Sequence, residues 1–66
     1  MNVSEILTAQ QIKFLADHGI TDTYEDMADF NEAISDLLIY AGLNADYSEN
    51  EIGSQCQDIL ITLAPY

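Results

Sequence analysis

Six carboxylates and no basic residue lie between Asp22 and Asp36: Asp22, Glu25, Asp26, Asp29, Glu32 and Asp36. Four of them, Glu25, Asp29, Glu32 and Asp36, are spaced 4, 3 and 4 apart, which puts them on one face of a helix. Carboxylates so arranged serve three chemistries: holding a divalent cation, acid–base catalysis, or attracting a positively charged surface. The rest of the chain decides among them.

A metal site finds little support. An EF-hand loop begun at Asn44 has Asn44, Asp46 and Ser48 at its first, third and fifth positions, but Glu49 where glycine is needed and Gln55 where the closing glutamate belongs. A di-metal bundle needs Glu-x-x-His pairs on facing helices, and His18 is the only histidine. Cys56 is the only cysteine, which excludes both an internal disulfide and a cysteine-based zinc site. No metal or other cofactor is expected. Acid–base catalysis requires a cleft that drives two pKa values apart, which a bundle this small rarely offers, so no enzyme is expected. His18 reads as a cap at the end of the first helix, and Cys56 as a small buried hydrophobe.

Electrostatic attraction remains. The 66 residues carry twelve Asp/Glu against one Lys, Lys13, and no Arg, a formal charge of −11. Direct binding of DNA or RNA is strongly disfavoured on this balance, because one Lys cannot supply the phosphate contacts against a charge of −11. The three glycines, Gly19, Gly42 and Gly53, are too far apart to cradle a phosphate. Anionic lipid would repel the chain as well. There is no positive leader segment and no apolar run long enough for a membrane, so a soluble cytoplasmic protein is expected. With hydrophobic residues at 48 %, the composition is that of a folding chain rather than of a disordered acidic tail.

Three elements must position these groups. The first is a helix over about 4–18, started at Ser4 or at the capping box Thr8-Ala9-Gln10-Gln11, with a break or bend near Thr8 because its apolar residues form no single stripe. Gly19 followed by Ile20 predicts a Schellman stop. The second runs over about 24–41 with Thr23 as its cap, burying Met27, Phe30, Ile34, Leu37, Leu38 and Ala41. Gly42-Leu43 repeats the glycine–apolar stop. The third runs over about 49–64 behind the box Ser48-Glu49-Asn50-Glu51, burying Ile52, Cys56, Ile59, Leu60 and Leu63, with Gly53 weakening its first turns and Pro65 closing it. The predicted fold is all-α, a compact three-helix bundle forming one domain over 1–66.

The macrodipole at the start of the second helix accounts for Asp22, Glu25 and Asp26, each stabilised by roughly 0.3–1 kcal/mol. It does not account for Asp29, Glu32 and Asp36. Like charges four apart cost about 0.2–0.5 kcal/mol per pair, where an ordinary solvated helix intersperses lysines. Such a face attracts basic surfaces, of which nucleic-acid-binding sites are the commonest. From Glu25 to Asp36 an ideal helix rises about 16.5 Å, or about one charge per 5.5 Å. That is sparser than one phosphate per roughly 3.4 Å of a DNA strand, so other acids must widen the field.

The expected function is therefore an acidic inhibitor that occupies the basic site of a nucleic-acid-interacting protein. In size and charge the chain is similar to the small acidic proteins by which phages and mobile elements block DNA-handling enzymes. The expected contact residues are Asp22, Glu25, Asp26, Asp29, Glu32, Asp36 and Tyr40, with Ile39 beside Tyr40 as an anchor or as cover for the end of the bundle. Two other readings stand beside it: an antitoxin- or immunity-like protein that neutralises a basic toxin through specific contacts, and a homodimeric or larger scaffold subunit.

Overall fold

A computed structural model of the chain describes residues 3–21, 24 and 26–66. They form a 3₁₀ turn, Val3–Glu5, and three α-helices: α1 (Ala9–Asp17), α2 (Met27–Ala41) and α3 (Glu51–Leu63). The predicted all-α bundle is the observed architecture, and the described residues contain no strand.

The break near Thr8 is real. Thr8 takes an extended backbone, its Oγ1 accepts from the Gln11 amide at 3.1 Å, and its own amide donates to Gln11 Oε1 at 2.9 Å. In one unbroken helix Val3 would stand about 120° around from Leu15. The break lets Val3, Leu7 and Leu15 all reach the core, where each is buried. At the far end of α1, Gly19 has φ +81°, its amide donates to Ala16 O at 3.0 Å, and the Ile20 amide donates to Leu15 O at 2.8 Å. This is the expected Schellman stop, with buried Ile20 as the apolar residue that follows it.

α2 starts later than the sequence pattern suggests. Its cap is Asp26, whose Oδ1 accepts from the Ala28 amide at 2.9 Å, not Thr23, which lies outside the described residues. Tyr24 precedes the helix and is half-buried, its ring edge-on to Phe30 with centroids 6.0 Å apart. α3 is displaced in the same direction. Its cap is Asn50 rather than Ser48: Asn50 Oδ1 accepts from the Gly53 amide at 3.0 Å, while its Nδ2 donates to Ala41 O at 2.8 Å. The Asn50 carboxamide thus spans both helices, with its oxygen accepting from α3 and its NH2 donating to α2.

Gly42 does not repeat the left-handed stop. It has φ −94° and ψ 0°, and its amide donates to Leu38 O at 2.9 Å. Its reason for being glycine is Gly53. A Cβ on Gly42 would stand 2.7 Å from Gly53 Cα, and one on Gly53 would run into the Gly42 carbonyl. The two glycines let α2 and α3 touch backbone to backbone, so Gly53 is a packing device rather than a weak first turn.

α2 and α3 are the closely paired helices, while α1 meets the Val3–Glu5 turn more extensively than it meets either of them. The core consists of Val3, Leu7, Leu15, Ile20, Phe30, Ile34, Cys56, Ile59 and Leu63. Met27, Leu37, Leu38, Ile52 and Leu60 pack against it half-buried. No helix among the described residues is long and apolar enough to cross a membrane.

Candidate protein-binding face

With Phe30 and Ile34 turned into the core, the 3.6-residue period turns Asp29, Glu32 and Asp36 outward, and all three are exposed. Their spacing of three and four residues makes a single row, rising about 10.5 Å along α2. The row continues into Ile39 and Tyr40, three and four residues beyond Asp36. These are 62 % and 88 % exposed, so neither covers the end of the bundle or packs on α1. The outer face of α2 therefore passes from carboxylates to an aliphatic and an aromatic side chain within its last two turns.

The other expected contact residues fall differently. Asp26 is exposed but committed to capping α2. Asp22 and Glu25 lie outside the described residues. The described helical row is thus Asp29, Glu32 and Asp36, not the four residues counted from Glu25. None of the three has an ion-pair partner among the described residues. The ion pair that is present joins Lys13 Nζ to Asp17 at 3.9 Å on α1, between two exposed side chains, a geometry that contributes at most about 1 kcal/mol.

Further acids gather at the loop joining α2 to α3, past the C-terminal end of the row. Asp46 and Glu49 lie in this loop, Glu51 opens α3, and all are exposed. Asp46 Oδ1 accepts from the Ser48 hydroxyl at 2.6 Å and from the Ser48 amide at 3.1 Å. These two bonds, the hydroxyl first, hold its carboxyl below the usual 3.8 and keep it charged. The charge along α2 thus runs on into the loop.

The remaining reactive side chains have structural duties. His18 Nδ1 donates to Phe14 O at 2.8 Å and its ring rests against Phe14 with centroids 4.6 Å apart, closing α1 as expected of a terminal histidine. Cys56 is fully buried, and burial, with a smaller contribution from Glu49, pushes its thiol above 9.0. Among the described residues no three His, Cys, Asp or Glu side chains converge on a metal position. A cavity of about 160 Å³ opens between α1 and α2, lined by Val3, Ile12, Leu15, Ala16, Ile20, Thr21 and Phe30. No titratable side chain lines it.

Sequence reasoning passed over two exposed aromatics, Tyr47 and Tyr66. Tyr47 sits at the tip of the α2–α3 loop with φ 66° and is 83 % exposed. Asn44, Asp46 and Ser48 around it do signal a turn. A left-handed tyrosine is not something that signal announces. Comparisons with protein families, with curated proteins and with solved structures find no match to this chain.

Proposed function

We propose that this chain is a non-enzymatic binding protein that lays the outer face of α2 against a basic protein surface and thereby occupies a site meant for nucleic acid. The observation that carries this reading is the row Asp29–Glu32–Asp36: exposed, unpaired and repelling itself in a chain of −11. The loop acids Asp46, Glu49 and Glu51 support it by extending the charge beyond the helix, which a nucleic-acid decoy requires.

Ile39 and Tyr40 favour a second reading, neutralisation of a basic toxin through specific anchors, because exposed apolar side chains beside charge are where binding energy concentrates. Salt separates the two. A decoy should lose affinity steeply as salt screens its field. An anchored complex should keep its affinity at high salt and lose it on Tyr40→Ala.

The test is capture of basic proteins from extract on the immobilised chain, followed by elution with DNA. The decoy reading expects DNA to displace the captured protein, and Glu32→Lys with Asp36→Lys to abolish capture while the far-UV circular dichroism stays helical. Unchanged capture by that double variant would sink the reading.

A further inference from the structure

The outward rows of α2 and α3 differ above all in charge. With Cys56, Ile59 and Leu63 turned into the core, the helical period turns Ser54, Gln57, Ile61 and Ala64 outward, and all four are exposed. Ala64 keeps helical backbone angles, so the row holds to its end. It contains no charged residue. Eleven of the twelve acids precede Ile52, and the twelfth, Asp58, lies beside the row. At the centre of the row Ile61 is 62 % exposed, an aliphatic side chain left in water in the middle of a helix.

Charge decides what this row can meet. A basic partner is drawn to the carboxylates of α2 and the α2–α3 loop, and an unrelated acidic protein is repelled by them. Two copies of this chain, each at −11, repel wherever their carboxylates face each other, and the α3 row carries none. On α1 the exposed Lys13–Asp17 pair would have to be desolvated first. The polar members of the α3 row also suit a copy of themselves. A carboxamide or a hydroxyl both donates and accepts, so Gln57 and Ser54 can pair with their own kind, whereas a row of carboxylates can only accept. Size adds a reason to pair, because below about 70–80 residues association is a common supplement to a small core.

We propose that two copies of this chain pair through the outer face of α3, antiparallel about a two-fold axis at Ile61. Ala64, three residues on, is small enough to let the helices approach to about 8–10 Å, with each Ile61 against its counterpart. In that register Asp58 lies three residues from the two-fold on each copy. The two Asp58 are then about 9 Å apart along the helices alone, beyond the screening length of about 8 Å at physiological salt. Asp29, Glu32 and Asp36 lie on another helix and stay uncovered, so the dimer carries two acidic rows. The pairing does not depend on what those rows bind.

Sedimentation of the full chain at rising concentration, up to millimolar, tests it. The mass should move from that of one chain toward that of two. At fixed concentration the dimer fraction should rise with salt, the opposite of the salt dependence of the acidic face. Ile61→Asp should hold the mass at one chain with the helical circular dichroism unchanged, since Ile61 is exposed in the single chain. Ile39→Asp should leave the dimer intact. Cross-linking reads the register, because Cys56 is buried and an introduced thiol is the accessible one. Under mild oxidation Ile61→Cys should give a disulfide-linked dimer. Ser54→Cys, whose copies would lie about 21 Å apart along the helices, should not. A single-chain mass at every concentration overturns the proposal, as does a dimer that survives Ile61→Asp or is lost on Ile39→Asp. Linkage through position 54 in place of position 61 overturns it as well. None of these outcomes bears on the capture of a basic protein, so this proposal and the acidic-face reading fail separately.

Discussion

At the scale of single residues, several polar side chains of this protein are spent on local frames. Asn50 holds the first turn of α3 and the last carbonyl of α2 together. Asn50→Ala should therefore cost about 2 kcal/mol, at the upper end for a lost cap, read from urea denaturation. Tyr47→Gly acts in the opposite direction, gaining about 1 kcal/mol by releasing a left-handed Cβ. The Asp46–Ser48 bonds lower the folded carboxyl below 3.8. Their contribution is present in full above that value and is lost as pH falls through the lowered one. Asp46→Asn should flatten this part of the acid limb of the stability curve. Cys56, buried and with its thiol pushed up, should resist a disulfide reagent at pH near 8. Adding denaturant should expose it, and prompt labelling of the native protein would contradict its placement.

At the scale of elements, the apolar periodicity of α2 and α3 was legible in the sequence, because Phe30, Ile34, Cys56, Ile59 and Leu63 recur at helical spacing and are the buried residues. The helix starts were less so. Thr23 and Asp26 both qualify as caps for α2, and Ser48 and Asn50 for α3. The choice at Asn50 is decided by Ala41 O, nine residues earlier in the chain. Gly53 was opaque for the same reason: its purpose is Gly42, brought there by the fold. Helix propensity alone would have Gly53→Ala stabilise α3 by about 1 kcal/mol. The collision with the Gly42 carbonyl should reverse the sign and cost roughly 3 kcal/mol in urea denaturation. The candidate face divides likewise. Asp29, Glu32 and Asp36 were readable from spacing, whereas the exposure of Ile39 and the backbone of Tyr47 required the assembled structure. Glu32→Lys should raise stability by about 0.5 kcal/mol, by replacing repulsion from Asp36 with attraction, and on the proposed function it should weaken binding at the same time.

At the scale of the whole molecule, a charge of −11 is confined to a body measuring 35 × 21 × 21 Å. At physiological salt the screening length is about 8 Å, so acids on opposite sides scarcely sense each other. At about 0.01 M salt it grows to roughly 30 Å, comparable with the length of the molecule, and the repulsion becomes global. The melting temperature should therefore fall as salt is withdrawn and recover when it is restored. The close pairing of α2 with α3, against the looser seat of α1, has a further consequence in time rather than in energy. Contacts within a pair joined by so short a loop close quickly, and α1 can dock onto them afterwards. In hydrogen exchange the amides of α1 should open first, through local excursions that leave α2 and α3 intact, while those around Ile59 exchange only when the whole chain unfolds. Such an order would leave the outer face of α2 on the part of the molecule that opens last.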